Sequence, residues 1–174
     1  KLVVVNDNSN DGTQNIVDEF SSKHSFITSV SLNSKAENVP GSKVINAFYA
    51  GFETLNNDYD IICKFDADLI FPKNYLEKII SSFKNDTSCG MVGGFCYIDK
   101  SGISVLENLT DKSHIRGALK AYRKECFDEI GGLKKSIGWD TVDELLAKYH
   151  GWKVKTDPSL HVKHLKPTGA SYSK

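Results

Sequence analysis

Asp7 opens a polar turn, Asn6-Asp7-Asn8-Ser9-Asn10-Asp11-Gly12-Thr13, directly after the β-branched run Leu2 to Val5. A carboxylate at the carboxyl end of a strand can accept hydrogen bonds from a ribose or from the N–H of a base edge such as uracil. The same loop also matches the start of a calcium loop, with Asp7, Ser9 and Asp11 at positions one, three and five and Gly12 at six. Its twelfth position is Asp18 where a bidentate glutamate is usual, and a β run precedes it instead of a helix. A plain Asn/Asp-rich turn joining strand to helix accounts for the loop as well.

A second acidic pair, Asp66-Ala67-Asp68, closes the apolar run Tyr59 to Phe65. Carboxylates at i and i+2 point the same way if the backbone stays extended. Two like charges held close repel unless a cation or donor groups offset them. A hard divalent ion, Mg²⁺ or Mn²⁺, shared with a diphosphate answers that need. Such pairs also occur on ordinary surfaces.

A third cluster, Gly138-Trp139-Asp140-Thr141-Val142-Asp143-Glu144, lies where a helix begins. Acids there are favoured by free N–H groups and by the helix dipole, so Asp140 reads as an N-cap with Asp143 and Glu144 in the first turn. It reads equally as a general base, with Trp139 a floor for a sugar ring. Among the histidines, His161 and His164 form an i, i+3 pair without the further ligands of a zinc site. His164 has one candidate role, completing a metal sphere begun by Asp68. His24, His114 and His150 carry none.

The elements that must position these groups alternate. Helices are expected from Thr13, which would cap a face of Ile16, Val17 and Phe20, and over Lys43 to Leu55. A third follows Pro72, with Tyr75, Leu76, Ile79, Ile80 and Phe83 inward. Others are expected near Arg116 to Ile130, before the Gly131-Gly132 pair, and from about Thr141 to Tyr149. Strands are expected at Leu2 to Val5, Phe26 to Leu32, Tyr59 to Phe65, Met91 to Ile98 and Trp152 to Thr156, ahead of a basic, loop-like tail. This alternation predicts βαβ units and a largely parallel sheet with helices on both faces, whose ligands bind beyond the carboxyl ends of the strands.

The 174 residues suit one domain, 1–174, with a real core. Twenty-two basic residues balance 22 acidic ones, which argues against a nucleic-acid partner. No apolar run approaches a transmembrane length and no signal-peptide pattern is present. Cys63, Cys89, Cys96 and Cys126 lack metal-finger spacing and read as buried thiols of a reducing compartment, hence a cytoplasmic chain. Lys163, Lys166 and Lys174 would allow peripheral contact with a lipid headgroup. The sequons Asn85-Asp86-Thr87 and Asn108-Leu109-Thr110 are of a kind that arises by chance.

Taken together and in order, these segments resemble glycosyltransferase family 2. Val3 to Thr13 is similar to that family's nucleotide-holding strand and turn, and Lys64-Phe65-Asp66-Ala67-Asp68 to its DxD element. Gly131-Gly132, Trp139-Asp140 and Gly151-Trp152 resemble its glycine pair, acidic element and closing turn. The resemblance implies a GT-A fold, a Rossmann-like α/β/α sandwich with a mostly parallel central sheet. It implies an inverting, metal-assisted transfer from a nucleoside-diphosphate sugar, a UDP-sugar by the family's habit, to a carbohydrate or lipid-linked acceptor hydroxyl.

In that frame Asp7 contacts the base, Asp66 the ribose or sugar, and Asp68 the metal. Asp140 lies eleven residues before Gly151, on the family's base position, and is preferred to Asp143. Three departures stand out. The family's first strand and the helix after it should precede Lys1. Trp139 replaces an acid that often precedes the base. Pro40 stands where a basic residue often lies before the second helix, leaving Lys43 to contact phosphate. The rival readings are a non-catalytic nucleotide-sugar-binding domain, which has no need of Asp140, and a nucleotidyltransferase, which needs a glycine-rich basic loop that is not visible here.

Overall fold

The computed structural model describes residues 1–33, 42–107, 109 and 111–167. Pro40, Lys174 and the Asn108 and Thr110 ends of the second sequon lie outside the described residues. The chain forms two compact units, Lys1–Tyr59 with Lys134–Trp139, and Asp60–Leu133 with Asp140–Lys174.

In the first unit, β1 (Leu2–Asp7) and β2 (Ile27–Leu32) pair in parallel, from Leu2 opposite Ile27 to Asp7 opposite Leu32. Two parallel strands need a crossover, and α1 (Thr13–Lys23) supplies it. Thr13 is not its cap. Gly12 holds that position in the left-handed region, and the Asp11 carboxylate accepts the Thr13 N–H at 3.2 Å. Only Val17 of α1 is buried; Ile16 and Phe20, expected inward, are exposed. The second helix, α2 (Ser42–Phe52), buries Ile45 and Gly51. Phe48, Tyr49, Phe52 and Tyr59 cluster around its C-terminal end, with Phe48 stacked on Phe52 and the other pairs edge-on.

The second unit carries a six-stranded mixed sheet. Its strands are β3 (Ile61–Phe65), β4 (Leu69–Ile70), β5 (Cys89–Lys100), β6 (Ile103–Leu106), β7 (Leu119–Arg123) and β8 (Lys153–His164). The order is β3-β7-β5-β8-β4, with β6 paired to β5. β3, β5 and β8 run one way, while β4, β6 and β7 run against them. Helix α3 (Tyr75–Asn85) packs on β5 and buries Tyr75, Ile79 and Phe83; Leu76 and Ile80 face solvent. Each such buried side chain contributes about 1.5–3 kcal/mol of transfer free energy. The core continues through Met91, Val92, Leu119, Tyr122, Leu160 and Val162.

Two expectations fail here. Leu119–Arg123 is a strand, not part of a helix, and only Lys124–Glu129 (α4) is helical. The Ala-Leu-Lys-Ala run favours helix locally. Tertiary context overrides it, because this segment fills the slot between β3 and β5, with four of its five residues buried. Residues 157–164, expected in a loop-like tail, instead continue β8 to His164. They do so past Pro158 through a bulge, where pairing to β5 jumps from Gly93–Thr156 to Phe95–His161. Proline cannot donate to a ladder, and a bulge relieves it of that need. Gly94 sits opposite, where a Cβ would lie 2.4 Å from the Leu160 carbonyl oxygen.

The Gly131-Gly132 pair ends α4. Both residues take positive φ, 65° and 66°, and the Gly132 N–H closes back on the Phe127 carbonyl at 2.9 Å. The last helix, α5, spans Trp139–Tyr149. All four cysteines are free thiols, and three of them are buried. Among the described residues no helix is long and apolar enough to cross a membrane.

Candidate functional site

The DxD acids leave β3 and enter a turn at 67–68, so the backbone does not stay extended and each carboxylate finds its own partner. The Asp66 N–H is fixed on the Ala118 carbonyl at 2.9 Å. Its carboxylate pairs with buried Lys64, whose ammonium also donates to the Gly117 carbonyl at 2.9 Å. Asp68 turns to His164, with Oδ2 3.6 Å from Nε2. Short β4 explains this meeting. It pairs antiparallel to β8 with Leu69 opposite His164, and the Leu165 N–H donates to the Asp68 carbonyl at 2.9 Å.

The Asp68 side chain is 37% exposed and that of His164 6%, so a partly exposed carboxylate lies beside a buried imidazole. A carboxylate oxygen beside an imidazole nitrogen is a donor set that Mn²⁺ accepts, and Mg²⁺ accepts the oxygen. The residues therefore fit a divalent ion. Cys96, Glu107 and His164 also bring ligand atoms within 4.8 Å of one another. Burial pushes the Cys96 thiol up to about 12.

At the mouth of α5 the three acids separate into different roles. Asp143 is 0% exposed and bound by Lys120 at 2.7 Å and by the Tyr122 hydroxyl. Desolvation raises its carboxyl despite those donors. Glu144 accepts the Ile115 N–H at 2.8 Å and lies 3.3 Å from the Lys120 ammonium. Burial pushes Glu144 up, but the bond from His114 and the Lys120 charge outweigh that and leave it lowered.

Asp140, in the first turn of the helix, is 31% exposed, with Oδ2 3.6 Å from His114 Nε2. His114 lowers its carboxyl below the usual range, against desolvation. His114 sits between Asp140 and Glu144, 3.1 Å from the latter, and both acids hold it protonated to about 9. Trp139 is 8% exposed, so the open floor expected beside Asp140 is absent. In the first unit, Asp7 ends β1 with its carboxylate 3.6 Å from the exposed Lys43 ammonium.

A sequence profile described as "Glycosyl transferase family 2" matches residues 1–127. The chain belongs to glycosyl transferase family 2. Among curated proteins, "Probable glycosyltransferase YdaM" of Bacillus subtilis (strain 168) is 38% identical over 94 residues, 54% of this chain and 21% of that protein. Among solved structures, a mannosyltransferase from Pyrobaculum calidifontis, PcManGT, in complex with GDP-Man and Mn²⁺, superposes with a TM-score of 0.71 at 17% identity. That match covers 98% of this chain and 49% of the other. A mycobacterial protein follows at a TM-score of 0.55 and 14% identity, over 95% of this chain and 54% of its own. The fold of this family 2 chain is thus GT-A α/β, with a mixed sheet. It spans about a fifth of the curated relative and about half of the first solved one.

Sequence reasoning passed over Lys64, His114 and Lys120, each of which touches a candidate acid, and Glu107, which touches the candidate ligand His164. Lys64 had a readable signal, lying two residues before Asp66 on the same strand. The other three meet their partners only through the fold, as with His164 and Glu107, 57 residues apart.

The His114 cluster makes stability depend on pH. An unfolded histidine titrates near 6.5, and here Asp140 and Glu144 hold it up to about 9. The folded state therefore binds the extra proton between those values. The stabilisation is complete below about pH 6.5 and is lost as pH rises through 9. Urea midpoints at pH 6 and 9.5 should show the protein losing about 2–3 kcal/mol more than His114→Gln. Parallel pH dependence in the two would remove this role.

Proposed function

We propose that this chain transfers a sugar, with inversion, from a nucleoside-diphosphate sugar to an acceptor hydroxyl on a carbohydrate or lipid-linked molecule. The observation that carries the reading is the pair of differently placed acids in the second unit. Asp68 faces an imidazole nitrogen and is open to solvent, while Asp140 is ionised and partly exposed at a helix mouth. Family membership and the relative's name support glycosyl transfer as the reaction class.

In this mechanism Asp140 takes the proton of the acceptor hydroxyl as its oxygen attacks the anomeric carbon. The bond from that carbon to the diphosphate breaks on the opposite face, and the nucleoside diphosphate departs. Asp68 and His164 would hold Mg²⁺ or Mn²⁺, whose charge offsets that of the departing diphosphate. Asp7 accepts from the base, Asp66 from the ribose or sugar, and Lys43 contacts phosphate. UDP-sugars are the first donors to test and GDP-mannose the second, since the Pyrobaculum enzyme was captured with the latter. The two compact units serve as one catalytic domain.

Incubation of the protein with these donors, Mn²⁺ and a panel of glycan and lipid-linked acceptors, followed by NMR of the product, tests the reading. Release of nucleoside diphosphate with inverted anomeric configuration is expected. Retained configuration would rule out the single displacement. Pyrophosphate exchange into the nucleotide would point to the nucleotidyltransferase instead. Donor binding with no transfer to any acceptor would favour the non-catalytic domain.

A further inference from the structure

His164 can serve a divalent ion only if its Nε2 carries a lone pair and points toward Asp68. In a neutral imidazole one nitrogen is N–H and the other is the acceptor, so the proton must sit on Nδ1. Nδ1 lies 2.9 Å from Glu107 Oε2, and an ionised carboxylate can only accept. Glu107 is buried, its side chain 3% exposed, with Arg116 Nη1 3.8 Å from the same oxygen as a charge partner. Its backbone is fixed as well. Glu107 follows β6 directly, and its N–H donates to the Cys96 carbonyl at 2.9 Å. Burying a carboxylate is costly unless it is paired and bonded, and this one spends a bond on the far side of a candidate ligand.

We propose that Glu107 is a positioning residue for His164, fixing the Nδ1–H tautomer and the ring orientation that present Nε2 beside Asp68. This rests on the proposed metal role of Asp68 and His164. Carboxylates behind ligating histidines raise ligand basicity, and their loss typically costs about 10–100-fold in metal affinity.

Two measurements test it. In the metal-free protein, two-bond ¹H–¹⁵N correlation of the His164 ring should show a proton on Nδ1, the nitrogen that faces Glu107. An Nδ1 without a proton overturns the proposal, and this needs no variant to fold. Mn²⁺ alone, titrated by the EPR signal of the free ion, should then bind Glu107→Gln at least about tenfold more weakly than the parent protein. Equal Mn²⁺ affinity in Glu107→Gln, with affinity lost in His164→Ala, overturns the positioning role and leaves the metal site standing. Equal affinity in His164→Ala, or no Mn²⁺ binding by the parent protein, overturns the metal reading and this role together.

Discussion

Asp140→Asn loses about 10²–10⁴-fold in turnover, the range of general-base contributions, while donor affinity changes little. The amide keeps the size of the side chain and its place in the first turn of α5 but cannot take the acceptor proton. Its cost to stability is modest, about 1 kcal/mol, because what is lost is a half-exposed acid at a helix start and one partner of His114. Glu144 remains to hold the imidazolium. The pH profile supplies a second readout. His114 lowers the Asp140 carboxyl, so the acid limb of turnover lies below the usual carboxylate range. His114→Gln should move that limb to higher pH. Turnover of Asp140→Asn within threefold of the parent would assign the base elsewhere.

Lys120→Met destabilises the protein by about 3–5 kcal/mol, the cost of removing one partner from a buried ion pair. The ammonium is fully buried and serves Asp143, Glu144 and the Asp140 carbonyl at once. Without it Asp143, also fully buried, keeps among the described residues only neutral donors, the Tyr122 hydroxyl and the Glu144 N–H. For a chain of this length the melting temperature should fall by roughly 6–20 °C. Lys120→Met with Asp143→Leu should recover much of that, since an apolar pair can replace a buried ionic one. Glu144 would still hold His114 and the Ile115 N–H. A single variant within 1 kcal/mol of the parent by urea denaturation would mean that the cluster is hydrated.

What could be read from the sequence was local. Asp7 does end a strand, Asp66 does follow one, and Asp140 does lie where a helix begins, though inside its first turn and not at the N-cap. Each rests on a change of periodicity within a few residues. Failures came where the fold decides. The Leu119–Arg123 segment looks helical by itself and becomes a strand because two other strands leave room for it. The difference between Asp140 and Asp143, three residues apart, depends on Lys120 and Tyr122 of that same misread strand. Once β7 is taken for a helix, no pattern in the sequence can reveal which acid is buried. Glu107 and His114 are hidden for a similar reason, as irregular stretches give no register from which to place a side chain.

The most direct test is calorimetry of nucleoside diphosphates and their sugars against the protein, with Mn²⁺ and again with EDTA. At least one nucleoside-diphosphate sugar should bind with Mn²⁺ present, and chelation should weaken it by about tenfold or more, as should Asp68→Asn with Mn²⁺ present. Equal affinity with EDTA, or no binding of any nucleotide under either condition, would contradict the account.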